Sequence, residues 1–303
     1  MSPDGFLHRP CPACAAAAPQ EEVASERRGE AMTLDALKPY WSGFFKEKTF
    51  FTYARCGTCG LLYAPTFFTN EQLAELYADM APNMEEVPGP ALAATQLSYW
   101  KTAQKTGPMA GGYLEIGPDI GYIVNHAARE GRFDHFWLFE PNRAVHAELD
   151  AATQGKPRTI SVEMDDLSPV PDGSVGLAVM IHVLDHLLDP MAMLKQINAK
   201  LRPGGLLMIV THNEGSVLRR VMGVKFPPFC LQHPELYNPK SITNLLTRAG
   251  YGQVKVGRSK NYFPLAFMAR QAAWTVGINL DRVPLPKAAV GLKLGNMITT
   301  ATR

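Results

Sequence analysis

From residue 113 to residue 211, short apolar runs alternate with amphipathic stretches, and no other feature constrains the fold as strongly. The runs at 113–116, 136–140, 159–163, 177–181 and 206–211 have the length of buried strands, and most are rich in Val, Ile, Leu and Phe. Between them, 122–129, 142–152 and 190–201 read as helices. Strands alternating with helices imply a mainly parallel sheet covered on both faces. Downstream, Asn238-Pro-Lys-Ser241 starts a further helix, with Asn as N-cap and Pro in the first turn, and Ala249-Gly250 ends it. Strands at 254–256 and 262–267 bring the sheet to seven. The expected class is α/β. The tail from Ala269 mixes apolar and basic residues and offers no pattern to place.

The segment ahead of the sheet is organised differently. Residues 70–80 form a helix with Leu73, Leu76, Tyr77 and Met80 on one stripe, and a proline-rich linker (81–90) leads to a second helix at 92–105. Nearer the N-terminus stand two cysteine pairs, Cys11-Pro-Ala-Cys14 and Cys56-Gly-Thr-Cys59. A two-residue spacer lets both sulfurs of a pair reach one ion, and four thiolates close a tetrahedral zinc site with no position left for water. Such a metal holds shape and does not catalyse. A thioredoxin-type dithiol should open a helix after a strand, and two such pairs in one small region would be unusual, while disulfides fit poorly with a chain lacking a signal peptide. Cys230 stands apart and reads as a buried bystander.

The first strand of the sheet runs into Glu115-Ile-Gly117-Pro-Asp-Ile-Gly121 and then a helix. Ligands of open α/β sheets bind beyond the C-terminal strand ends, and a glycine there lets backbone approach the ligand. The second strand ends in Phe139-Glu140-Pro-Asn142, where a carboxylate can accept both hydroxyls of a ribose. A dinucleotide site wants G-x-G-x-x-G with its pyrophosphate on a helix N-terminus. Here Glu115 precedes glycines spaced four apart, with Pro118-Asp119 between them. Acids suit a cationic ligand better than a pyrophosphate.

The segment resembles the E/D-x-G-x-G-x-G signature of class I S-adenosylmethionine-dependent methyltransferases. Glu140 matches their ribose-binding acid, and Asp165 falls where an acid often faces the adenine amine. Residues 172–190, including His182 and His186, resemble the fourth strand and following loop, and Leu201-Arg-Pro-Gly-Gly205 matches the turn before the fifth strand. The resemblance covers roughly residues 110–268 and implies the family's Rossmann-like seven-stranded sheet, with S-adenosylmethionine held by Glu115, Gly117, Asp119, Gly121, Glu140, Asp165 and His182. Asp119 stands for the signature's middle glycine, and Gly176 for the acid that usually opens the fourth strand. Cys11–Cys14 with Cys56-Gly-Thr-Cys59-Gly-Leu-Leu-Tyr-Ala-Pro65 resembles the zinc-binding N-terminal domain joined to some methyltransferases of sugars and related small molecules. Their nucleotide-sugar C-methylating branch carries a Tyr-x-Glu-His cluster after the fifth strand, where this chain has Thr211-His-Asn-Glu214 and His233-Pro-Glu235. The implied organisation is a zinc-binding ribbon-like domain (1–65), a helical linker or lid (66–109), a methyltransferase domain (110–268) and a C-terminal extension (269–303).

Transfer to a hydroxyl or carbon needs a base, and histidine is the side chain best poised near neutral pH. The candidates are His212 after the fifth strand, His233 in a proline-flanked loop, and His182 and His186, which lie four apart on an apolar turn where capping or packing is the competing role. The i, i+4 spacing of that pair is a metal spacing, but no acid stands as in a zinc protease, and a second metal is not expected. From Arg219 onward thirteen Lys/Arg face two acids, which fits a phosphate-linked acceptor or merely a solvated surface. Residues 1–65 carry no dense basic stripe, so a small-molecule acceptor is expected rather than RNA, with a non-catalytic nucleoside-binding scaffold as the remaining alternative. No 18-residue apolar run and no signal-like N-terminus are found, so a cytoplasmic address is expected.

Overall fold

The computed structural model describes residues 5–41, 48–78, 89–107, 109–130, 132–275, 279, 283 and 288–303. Its centre is a seven-stranded sheet: β1 (Gly111–Ile116), β2 (Phe133–Phe139), β3 (Arg158–Ser161), β4 (Val175–Ile181), β5 (Leu201–His212), β6 (Gly252–Arg258) and β7 (Asn296–Thr302). They lie side by side in the order β3-β2-β1-β4-β5-β7-β6. The first five strands pair parallel, and β7 pairs antiparallel with both β5 and β6. Chain order reverses between β1 and β4, which makes their C-terminal ends the switch point.

Burial on both faces explains the near-continuous apolar strands. Leu114, Ile116, Ala178, Met180, Leu207 and Ile209 pack into one core, and their neighbours Tyr113, Leu177, Val179, Leu206, Met208 and Val210 into the opposite one. The second core is closed by Tyr99, Trp100 and Ala103 of α2 (Gly89–Thr106), together with α3 (Tyr122–Glu130) and α4 (His146–Ala152). The first is covered by α5 (Pro190–Lys200) and α7 (Pro239–Arg248). Ahead of them α1 (Asn70–Ala78) takes most of the expected 70–80 helix; residues 79–80 and linker residues 81–88 lie outside the described residues.

The expected strand at 262–267 is not part of the large sheet. Asn261–Pro264 pairs with Ala289–Leu292 in a separate ribbon, and the chain then turns into α8 (Leu265–Thr275). The seventh strand is β7, from the tail that sequence could not place, and the sheet therefore extends beyond residue 268. Asn296-Met-Ile-Thr-Thr-Ala-Thr302 is polar by composition, but threonine is β-branched and fits a pleated strand, and Met297, Thr299 and Ala301 are almost wholly buried.

The N-terminal residues form a small sheet that borrows a strand. Pro19–Val23, Tyr53–Cys56 and Leu62–Tyr63 pair in turn, and Leu62–Tyr63 then pairs with Glu235–Leu236 from the segment before α7. Phe6, Trp41, Phe50, Phe51, Phe67 and Phe68 form the core beside it with Phe226 and Phe229. Arg9 pins the junction: its guanidinium donates to the carbonyls of Ala64, Leu188 and Pro234 and pairs with buried Glu235 at 2.7 Å. Among the described residues no helix is long and apolar enough to cross a membrane.

Candidate functional site

At the end of β1 the chain passes through three left-handed residues, Gly117 (φ +67°), Asp119 (φ +51°) and Gly121 (φ +80°). A Cβ on Gly117 would lie 2.6 Å from Val183 Cγ2, and one on Gly121 would lie 2.8 Å from Ala152 Cβ of α4. The middle position needs φ > 0 but not the absence of a side chain, and Asp tolerates that conformation better than most residues. Glu140, next along from β2, is buried and faces this turn. Its Oε2 accepts the Asp119 N–H at 2.9 Å, and its Oε1 accepts the Asn142 N–H at 2.9 Å. Burial raises its pKa against these two amides. Glu115 lies deeper, accepting a hydrogen bond from the Tyr113 hydroxyl at 2.5 Å, and desolvation raises its pKa to about 8. The turn thus offers backbone without Cβ at Gly117, with the hydrogen-bond-accepting Glu140 carboxylate beside it and the Glu115 carboxyl, neutral below about pH 8, beneath. Asp165 is exposed on the loop after β3, with its carbonyl held by Gln196.

Two consequences are measurable. Gly117→Ala should destabilise the fold by about 1–3 kcal/mol, since it adds both backbone strain and the Val183 contact. Thermal unfolding of Gly117→Ala with and without Val183→Ala checks this, with partial recovery expected in the double variant. Glu115 has a folded pKa of about 8 against 4.5 unfolded, so its contribution is complete below pH 4.5 and is lost as pH rises through 8. In Glu115→Gln, the fall of unfolding midpoint across that window should flatten.

Beyond β4 and β5 four histidines converge on one aspartate. Ring centroids are 4.7 Å apart for His182 and His212, 5.0 Å for His212 and His233, and 4.6 Å for His186 and His233. Asp185 lies beneath them, fully buried, and its Oδ2 accepts the His212 backbone N–H at 3.2 Å. His212 is the last residue of β5 and keeps its side chain 23% exposed, enough to meet a ligand. Its Nδ1 lies 3.0 Å from Asn296 Oδ1, which puts the proton on Nδ1 and the lone pair on Nε2. His182 follows β4 in a left-handed conformation (φ +52°). Burial lowers the pKa of His182, and takes His186 and His212 to about 3. Burial also opposes charge on Asp185, but the imidazoles around it, His212 and His233 foremost, hold its carboxyl below the usual range. His233 behaves oppositely. Desolvation opposes its charge, yet Cys230, with Sγ 3.3 Å from Nδ1, raises it to about 9.

The four N-terminal cysteines meet as their spacing requires. Cys11 Sγ is 3.5 Å from Cys59 Sγ, and Cys14 Sγ is 3.5 Å from Cys56 Sγ; all four sulfurs lie within 4.8 Å of one another and none is in a disulfide. Each pair ends in a left-handed residue, Ala15 (φ +59°) and Gly60 (φ +78°), whose N–H returns to the first cysteine's carbonyl at 2.8 and 2.9 Å. Zn–S bonds of about 2.3 Å in a tetrahedron place sulfurs about 3.8 Å apart, so the donor set fits zinc.

Sequence comparison places this geometry in a family. The family model described as "Methyltransferase domain" matches residues 69–256, more than half of the chain. The chain belongs to that methyltransferase family. No curated protein matches it significantly. Among solved structures, a S-adenosylmethionine-dependent methyltransferase from Archaeoglobus fulgidus superposes with a TM-score of 0.51 at 13% identity, covering 73% of this chain and 97% of that one. One from Mesorhizobium loti gives 0.46 at 16% identity, covering 68% and 98%. Phosphoethanolamine N-methyltransferase 2 of Haemonchus contortus, solved with S-adenosyl-L-methionine, gives 0.44 at 13%, covering 68% and 52%.

The methyltransferase's fold explains one departure from the family pattern. Gly176 lies at the start of β4, at the edge away from the glycine turn, and a Cβ there would meet the Ala110 carbonyl oxygen at 1.8 Å. An acid at this position is sterically excluded, and its absence leaves the ligand edge untouched. The histidine positions expected from sequence all reach that edge. Asp185 and Asn296, which organise them, were not foreseen. Asp185 sits inside an apolar turn, and Asn296 is 84 residues beyond His212 in an unassigned tail.

Proposed function

We propose that this S-adenosylmethionine-dependent methyltransferase acts on an oxygen or carbon of a small, sugar-like or phosphate-linked acceptor, with a structural zinc ion in the four-cysteine cluster. The observation that carries the reading is the adjacency of two unlike sites along one sheet edge. The acid-lined glycine turn follows β1 and β2, and the histidine cluster follows β4 and β5. Glu140 holds the ribose hydroxyls, Gly117, Asp119 and Gly121 shape the floor, Glu115, a neutral carboxyl below about pH 8 bonded to Tyr113, lies beneath it, and Asp165 meets the adenine edge. When bound, the donor supplies an electrophilic methyl group on a sulfonium, attacked in line. His182 lies between the two sites, because Val183 beside it packs against Gly117. His212 turns its Nε2 lone pair toward the acceptor side, oriented by Asn296. His233 is buried, donates to the Pro228 carbonyl (2.7 Å) and pairs with Cys230, which suits holding the acceptor loop better than accepting a proton. Arg219 and Arg220, on α6 (Val217–Met222) four residues past this edge, support a phosphate-bearing acceptor.

Incubation of the full chain with methyl-labelled donor and pools of hydroxylated metabolites, phosphorylated and not, tests the reading by mass spectrometry of products. Label on an oxygen or carbon of a small acceptor supports it. Label found only on nitrogen or only in RNA would overturn it.

A further inference from the structure

We infer that His182, Asp185 and His212 form a second metal site, one for a divalent transition ion of the zinc or iron(II) class, and that the ion holds the acceptor through an oxygen atom. The inference rests on the reading of this edge as the acceptor side.

One ligand atom from each of the three side chains lies within 4.8 Å of the others, and His212 Nε2 is 3.8 Å from Asp185 Oδ2. The ligands come from the ends of two neighbouring strands, so no sequence motif announces them. Asp185 Oδ1 and His182 Nδ1 are both buried and find no hydrogen-bond partner among the described residues. Unpaired buried polar atoms are costly, and two belonging to one small triad call for a common partner. A cation supplies it for the carboxylate at once, and for His182 when the ring proton moves to Nε2 in place of the long 3.5 Å contact from the Asn296 amide nitrogen. The proton on His212 Nδ1 is fixed by Asn296, the outer-shell contact that orients a metal-binding imidazole. The left-handed backbone of His182 is the kind of strain kept where a side chain must be aimed.

Two imidazoles and a carboxylate select a borderline transition ion over calcium or magnesium, and three protein ligands leave positions for substrate. Bonds of about 2.1 Å require ligand atoms about 3.4 Å apart, so the triad contracts modestly on loading. The neighbouring imidazoles are otherwise engaged: His186 Nδ1 with the Tyr77 hydroxyl (3.1 Å), His233 Nδ1 with Pro228 and Cys230. An acceptor hydroxyl bound to the ion loses its proton near neutral pH. The O–H bond breaks, the proton leaves to water and the electron pair stays on oxygen. No redox partner is needed. The acceptor class narrows to hydroxyl compounds methylated on oxygen, favouring those with a second oxygen close enough to chelate.

Loading the full chain with Co²⁺ tests this without turnover. Wild type should bind two equivalents by elemental analysis. One should give the strong sulfur-to-metal absorption of the four thiolates, the other only weak visible bands of nitrogen and oxygen ligation. His182→Ala and His212→Ala should each lose the second equivalent and keep the thiolate spectrum, which also reports that they have folded. One equivalent in wild type, or two in both variants, overturns the proposal. Donor binding by calorimetry on the same samples separates the two readings: a chain that binds two ions but no donor contradicts the methyltransferase site, and one that binds donor with a single ion contradicts only the metal.

Discussion

His212→Ala is expected to lower methyl transfer by about 10²–10⁴-fold, the usual worth of a group that activates a nucleophile by proton transfer or an equivalent route. Donor affinity should remain essentially that of the parent. The asymmetry follows from placement: His212 ends β5, whereas Glu140 and Gly117 follow β2 and β1 on the other side of β4. Its side chain is partly exposed and its backbone N–H, which the substitution keeps, still reaches Asp185. Single-turnover rates with labelled donor, beside calorimetry of donor binding, separate the two effects. A variant that loses donor affinity in step with its rate would move His212 to the donor pocket.

Breaking the proposed zinc site at the four cysteines, by chelation or as Cys56→Ser, is expected to abolish turnover without touching the donor crevice. A structural zinc contributes about 10–16 kcal/mol of apparent binding free energy to the segment it folds. That segment grips the loop at 226–237 directly. Leu62–Tyr63 pairs with Glu235–Leu236, the Tyr53 hydroxyl donates to the His233 carbonyl at 2.6 Å, and Arg9 holds Pro234 and Glu235. Losing the cluster therefore frees His233 and its loop while leaving Glu140 in place. Limited proteolysis should cut the metal-free protein between residues 5 and 67 and between 226 and 237. An apo-protein cleaved and turning over like the parent would contradict the coupling.

Local chemistry was legible in the sequence; long-range pairing was not. The strands β1 to β5 announce themselves because both faces are buried, and the glycine turn because three left-handed residues force its composition. The cysteine knuckles follow from two-residue spacers. β7 escaped notice because its threonines are polar and its partners, β5 and β6, lie up to about 100 residues away in sequence. The same distance hid Asn296 from His212. Asp185 was hidden by its setting: nothing in Ile181-His-Val-Leu-Asp-His186 says that the aspartate turns inward while the histidines gather around it. The N-terminal segment looked separable, since a strand pair as short as Leu62–Tyr63 with Glu235–Leu236 leaves no periodic trace.

The account stands on the carboxylate after β2 being the anchor of the donor. Calorimetric titration of S-adenosylmethionine into Glu140→Ala, with unfolding checked to be intact, measures that directly. Loss of charge-assisted hydrogen bonds worth about 1.5–3 kcal/mol should weaken binding by about 10–100-fold. An affinity equal to the parent's would place the donor somewhere else.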